Sequence, residues 1–464
     1  MSELARRKYL ERYAEPEARF AQQLGHQYSA TLVVPLCGED ESFLDGLAPA
    51  CAAGAASGAR VLLIVIVNGT EDAAPEVTAA NQRLLGLLAE RLHPRQELAA
   101  VEGSPAAALL GRPGSFDLLL IDRASAGRCL PPGEGVGLAR RIGGDLALGL
   151  HERGGVLSPW LCCSDADARL PLDYFPALEA VLPRAPDGTR RAAMSLPFWH
   201  VPSGNEAVDS ATFAYELSLR YYTLGLAFAR SPYAYESLGS SLCAHADAYA
   251  EVRGFPRLKA GEDFYLLDKL AKVGSVHRPA LRPLELLSRV SERVPFGTGA
   301  RVGEMLRGQE LRAHHPRLFE LLRLTLQALR HAVRIKSHEA ALEALTKTLD
   351  AGSVGAVSSA LDELRAFEAL RDMLGASPDA RVRERRLLTW FDALRTLRFL
   401  HLLEVPAGLP RQPLSQALAA APFCGFWRPE MSLSEARMAA FSAEQALPSD
   451  IGVESAILGG VNDS

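Results

Sequence analysis

No stretch of about 18 residues stays apolar, which is the run a membrane-crossing helix needs. The nearest approach, residues 221–230, is bounded by Arg220 and Arg230. The opening MSELARRKYLERYAEPEARF is charged throughout and lacks the apolar core of a secretory signal. Cysteine is scarce: the seven residues, at 37, 51, 129, 162, 163, 243 and 424, include no C-x-x-C pair. That spacing argues against a thiolate zinc module and against a disulfide framework. Basic charge is not in excess either, with 50 Lys and Arg against 55 Asp and Glu and a net charge of −5. Bulk charge therefore gives no case for nucleic acid as a partner. These absences lead us to expect a cytoplasmic chain with no transmembrane segment, and they leave peripheral membrane contact open.

What is present is ordinary globular material, 48% hydrophobic and 23% charged over 464 residues, enough for two or three domains. After a polar, helical first segment comes Thr31-Leu32-Val33-Val34, a buried strand that Pro35 should close. Residues 42–54 are alanine-rich and permit a helix. Val61-Leu62-Leu63-Ile64-Val65-Ile66-Val67 is short, β-branched and stopped by Asn68-Gly69, the pattern of a central parallel strand. Residues 78–92 have helical spacing, 116–121 read as a strand, 138–150 as a helix, and Trp160-Leu161-Cys162-Cys163 as a strand. Such alternation predicts an α/β fold with an open, mainly parallel sheet, whose ligands sit beyond the carboxyl ends of the strands. Beyond about residue 300 the apolar stripes Leu318/Leu322/Leu326/Leu329/Val333, Leu361/Leu364/Phe367/Leu370 and Leu387/Trp390/Phe391/Leu394/Leu397 predict an all-α C-terminal region.

Four motifs carry charge to places where chemistry is done. Asp165-Ala166-Asp167 ends the fourth strand, and two carboxylates at i and i+2 there suit Mg²⁺ or Mn²⁺, although Asp is also common in solvated turns. Gly261-Glu262-Asp263 opens a helix. One carboxylate there complements the helix dipole, and the other is a candidate general base. Gly135-Val136-Gly137 leads into a helix bearing Arg140 and Arg141; a glycine turn of this kind can approach a diphosphate, but alone it reads as a turn and a basic helix. Arg289 and Arg293, followed by Gly297-Thr298-Gly299, are either a lid over phosphates or a charged linker. The aromatic segments Phe198-Trp199-His200, Arg220-Tyr221-Tyr222 and Tyr233-Ala234-Tyr235 could stack on sugar rings, with core packing the commoner fate of such clusters. His277 reads as a structural imidazole in a short strand.

In their order and spacing these motifs resemble the family 2 glycosyltransferases of the GT-A fold, over roughly residues 28–300. Thr31-Leu32-Val33-Val34-Pro35 through Glu39 is similar to that family's opening strand. Val67-Asn68-Gly69-Thr70 stands where the family has D-D-G-S. Gly135 to Gly143 matches its glycine–arginine segment, Asp165-Ala166-Asp167 its metal motif, and Glu262-Asp263 its acidic pair. The resemblance implies a Rossmann-like GT-A sheet and transfer of a sugar, with inversion, from a nucleotide-diphosphate donor to an acceptor hydroxyl. It further implies that Asp165 and Asp167 hold Mn²⁺ or Mg²⁺. Pro35, Glu39, Asn68, Arg140, Asp165, Arg289 and Arg293 would bind the nucleotide sugar. Asp263 would be the base, with Glu262 orienting it or touching the acceptor. The chain departs from the family at Val67, which replaces a base-recognising carboxylate, and at Cys37-Gly38.

Two other readings compete: a sugar nucleotidyltransferase, for which the acidic Gly38-Glu39-Asp40-Glu41 is a poor start, and a non-catalytic nucleotide-binding protein on the same fold. The expected division is an N-terminal helical extension (1–27), the transferase domain (28–299) and a mostly helical region (300–464). The last could recognise the acceptor, form a homo-oligomer or touch a membrane.

Overall fold

The computed structural model describes residues 2–291 and 297–459. The fold is α/β, with a large mixed sheet that is parallel at its centre and a helical C-terminal region. The chain forms two compact units: residues up to Val201 with Ser237–Leu287, and Pro202–Glu236 with the residues from Gly297 onward.

Among its described residues the first unit gives nine strands to the main sheet: β1 (Ala30–Leu36), β2 (Val61–Asn68), β3 (His93–Leu98), β4 (Ala107–Arg112), β5 (Phe116–Arg123), β6 (Trp160–Cys163), β8 (Arg191–Ser195), β10 (Leu242–His245) and β11 (Ser275–His277). Three shorter strands, β7 (Ala168–Arg169), β9 (Phe198–Val201) and β12 (Leu284–Leu287), form a separate ladder in the order β7-β12-β9. The main order is β11-β8-β10-β6-β1-β2-β5-β4-β3. β6, β1, β2 and β5 run parallel, so their carboxyl ends share one edge. β2 is buried along its whole length, which is why it is apolar without alternation.

The helices of this unit are α1 (Ser2–Arg12), α2 (Phe43–Ala56), α3 (Pro75–Arg91), α4 (Val136–Glu152), α5 (Tyr174–Glu179), α7 (Ala246–Glu251) and α8 (Glu262–Val273). α4 lies very close to the sheet. A Cβ on Gly143 would sit 2.3 Å from Val33 Cγ1.

β1 does not stop before Pro35 as expected from sequence; it continues to Leu36. Val33 O accepts from Ser164 N–H, so Pro35, two residues on, turns its nitrogen to the same side, where β6 has already ended at Cys163. A missing donor costs nothing there. The hairpin β3–β4 was not foreseen: β3 is exposed along most of its length and lacks a strand's apolar pattern. Residues 1–27, expected as a helical extension, carry α1 and pack within the first unit. The buried Asp145 carboxylate accepts from Tyr9 Oη (2.6 Å), Tyr249 Oη (2.9 Å) and Glu15 N–H (2.8 Å), binding the N-terminal segment to α4.

The second unit consists of α6 (Glu206–Phe228) with α9 (Thr298–Leu306), α10 (Pro316–Ile335), α11 (Glu339–Thr348), α12 (Ala351–Glu363), α13 (Ala366–Ala376), α14 (Ala380–Trp390), α15 (Ala393–Glu404), α16 (Leu414–Ala420), α17 (Leu433–Gln445) and α18 (Val453–Gly459). A two-residue ladder joins β13 (Arg312–Ala313) to β14 (Gln412–Pro413). The stripe on α10 is buried at Leu318, Leu322, Leu326, Leu329 and Val333. The stripe read through residues 387–397 is broken: Asp392 Oδ1 caps α15 by accepting from Arg395 N–H, and α15 buries Phe399, Leu400 and Leu403 instead. α6, which precedes β10 in sequence, belongs to this helical unit, so the boundary expected at residue 300 does not follow the packing. Its Arg220 donates to Glu216 (2.9 Å) and to Glu444, and Arg437 donates to Glu216 (2.7 Å), all inside the core. Among the described residues no helix is long and apolar enough to cross a membrane.

Candidate functional site

Ser164 and Asp165 follow β6 directly, at the shared carboxyl edge of the parallel strands. β10 runs antiparallel to β6 with Cys243 opposite Cys162, so β10 begins where β6 ends. The short 3₁₀ turn before β10, Gly239–Ser241, is thereby brought to Asp165. α8 starts from Gly261, whose φ of +78° is the left-handed conformation that glycine adopts without strain. That entry sets Glu262 and Asp263 in the first turn of α8.

Arg140, one turn into α4, is the centre on which these pieces converge. Its guanidinium donates to Glu262 Oε1 and to Asp165 Oδ1 (2.5 Å). Arg140 is 4% exposed and Glu262 1%, so the pair is held in a weakly screened interior. Gly239 makes the room: a Cβ there would lie 2.1–2.2 Å from the guanidinium atoms.

Asp263 completes the group. Its Oδ1 accepts from Phe264 N–H (2.7 Å), and Gly239 N–H also donates to it. Burial pushes its carboxyl above the usual aspartate range. The Arg140 charge and the two backbone donors oppose that shift, while the neighbouring Asp165 charge adds to it. Burial acts on Cys163 as well, pushing its thiol up to about 12.

The structure thus brings Arg140, Asp165, Glu262 and Asp263 together. It does not leave Arg140 as an unpaired cation, because two carboxylates already take its charge. The glycines beside it are spent on packing: a Cβ on Gly137 would lie 2.5 Å from Leu258 O, and Gly137 N–H donates to that same carbonyl. Arg141 turns away to Glu15 (2.8 Å) and to backbone carbonyls of Tyr13, Arg253 and Phe255.

The other expected residues are distributed along the same edge. Pro35 is buried within β1, and Glu39 is half-buried in the loop after it. Asn68 ends β2 at 5% exposure, and its side-chain Oδ1 is buried without a hydrogen-bond partner. Asn81 joins these two strand ends: it accepts from Gly38 N–H (2.8 Å) and donates to Asn68 O (3.1 Å). Sequence reading missed Asn81, although it occupies the buried stripe of α3 with Leu84 and Leu88, where a polar residue is itself a signal. Asp122, at the end of β5, is consumed by its own turn, accepting from Ala124 and Ser125 N–H.

Asp167 is half-buried, and its backbone carbonyl accepts from Leu287 N–H (3.0 Å). Asp165 gives one oxygen to Arg140 and is 32% exposed in its side chain, so its second oxygen is open. Carboxylate is the donor type that a hard divalent cation such as Mg²⁺ or Mn²⁺ takes, and Asp165 and Asp167 stand two residues apart after β6. Arg289 belongs to the helical unit, and Arg293 lies outside the described residues. Of the aromatic segments, Tyr221 and Tyr233 are core residues of the helical unit: Tyr221 Oη donates to His314 O (2.7 Å) and Tyr233 Oη to Leu388 O (2.8 Å). Comparison with models of known protein families gives no match, and comparison with curated proteins gives none.

Proposed function

We propose that the first unit is a GT-A-type glycosyltransferase that moves a sugar from a nucleotide-diphosphate donor to an acceptor hydroxyl with inversion. One observation carries the reading. Asp165 and the pair Glu262-Asp263, about a hundred residues apart in sequence, meet on one buried guanidinium at the carboxyl edge of a parallel sheet. That edge is where ligands of such sheets bind.

In this reading Asp263 takes the proton of the acceptor hydroxyl. The oxygen so sharpened bonds to the anomeric carbon, the bond to the diphosphate breaks, and the nucleoside diphosphate leaves with the electron pair. Asp165 and Asp167 would hold Mg²⁺ or Mn²⁺, which offsets charge on the diphosphate. Asn68 Oδ1 supplies an unmet acceptor for a donor group of the nucleoside, at the strand where Val67 removes the family's carboxylate. Arg140 is assigned a different role from the one the resemblance implied: it holds Asp165 and Glu262 in place and does not neutralise phosphate. Glu262 acts through Arg140, not on the acceptor.

The test is a panel of nucleotide sugars with and without Mn²⁺, reading nucleoside diphosphate release and donor binding. Asp263→Asn should abolish transfer, by about a hundredfold or more, while binding persists; Asp167→Ala should remove the metal-dependent part of binding. Pyrophosphate release in place of nucleoside diphosphate would transfer the case to a nucleotidyltransferase. Loss of donor binding in Asp263→Asn would overturn its assignment as the base.

A further inference from the structure

The helical unit gathers a second set of donor atoms, unrelated to the transferase reading. His401 and Glu404 lie one turn apart on α15, and His314 enters from the segment between β13 and α10. The backbone at His314 is fixed on both sides. Ala313 pairs with Gln412, and the His314 carbonyl accepts the Tyr221 hydroxyl (2.7 Å). The two imidazoles stack with centroids 5.4 Å apart, and ligand atoms of all three side chains lie within 4.8 Å of one another.

His314 is 8% exposed, and its Nδ1 lies 2.9 Å from Glu404 Oε1. The group already holds a cation. The resident one is Arg411: its Nε donates to Glu404 Oε1 (2.9 Å), and its Nη2 lies 2.6 Å from His401 Nε2. That side chain is 33% exposed, at the rim, and long enough to swing out.

We propose that His314, His401 and Glu404 are a binding site for a borderline divalent transition metal of the Zn²⁺ class, and that Arg411 fills it as a counter-cation until the metal displaces it. Two imidazoles and one carboxylate select such an ion over Mg²⁺ or Mn²⁺, which favour all-oxygen sites. Ligand atoms around tetrahedral zinc stand about 3.3 Å apart, so side-chain adjustments alone close the site. The fourth position falls to water.

The experiment uses the full chain, stripped with chelator and titrated with Zn²⁺, with bound metal counted by elemental analysis after dialysis. Wild type and Asp167→Ala should each take up one Zn²⁺ per chain, which separates this site from the aspartates of the sheet. His401→Ala and Glu404→Gln should weaken uptake by about tenfold or more. His401 is exposed, so its removal spares the core, and His401→Asn serves as a second variant if needed. Arg411→Ala should bind more tightly, because the competing cation is gone. Absence of stoichiometric uptake, or uptake unchanged in His401→Ala and Glu404→Gln, overturns the site. An Arg411→Ala protein with no gain in affinity overturns the displacement.

Discussion

Asp263 is a carboxylate in opposing fields. Burial and the Asp165 charge resist its ionisation, while Arg140 and two backbone N–H groups favour it, and burial outweighs them. A general base must be ionised to accept a proton, so a raised carboxyl removes activity at low pH sooner than a solvent-exposed aspartate would. The acid limb of kcat/KM against pH should therefore fall above the value of about 4 that a free aspartate has. A profile flat down to pH 4 would count against Asp263 as the base. At this scale the sequence showed the acidic residues but not their partner. Arg140 was visible as a charge on a helix, whereas its engagement with Glu262 spans 122 positions and has no local signature.

At the scale of elements, the parallel core was legible because burial on both faces writes unbroken apolar runs, as in β2 and β6. The β3–β4 hairpin was not, because an exposed edge strand such as β3 need not be apolar. The break between α14 and α15 was hidden for a related reason: residues 387–397 keep helical spacing across it, and only the Asp392 cap reveals it. The 3₁₀ turn at Gly239–Ser241 is the tightest join in the site, since no side chain fits between it and Arg140. Gly239→Ala should push the guanidinium off Asp165 and Glu262, costing about 1–3 kcal/mol of stability by overpacking. Transfer should fall with it by about tenfold or more, since a misplaced positioning group costs rate steeply. Urea unfolding and the transfer assay would read the two effects. A variant with wild-type stability and rate would mean that the turn has slack the geometry does not show.

For the whole molecule, the informative feature is that α6 lies in sequence between β9 and β10 but packs in the helical unit. Leu217, Tyr221 and Leu226 of α6 belong to the same apolar core as Leu322 and Leu326 of α10. A fragment of residues 297–464 therefore lacks part of its own interior, and Arg437 and Glu444 lose the partners Glu216 and Arg220. Removing one side of a buried ion pair costs about 3–5 kcal/mol, a large part of a typical domain's stability. The fragment should be unfolded or aggregated by circular dichroism and gel filtration. A cooperative thermal transition in it would show that α6 is dispensable. The same interleaving limits how genes for such proteins can be recombined. A chimaera joined near residue 300 would pair a foreign α6 with these charged sockets, so working hybrids must carry residues 202–236 along with the C-terminal half.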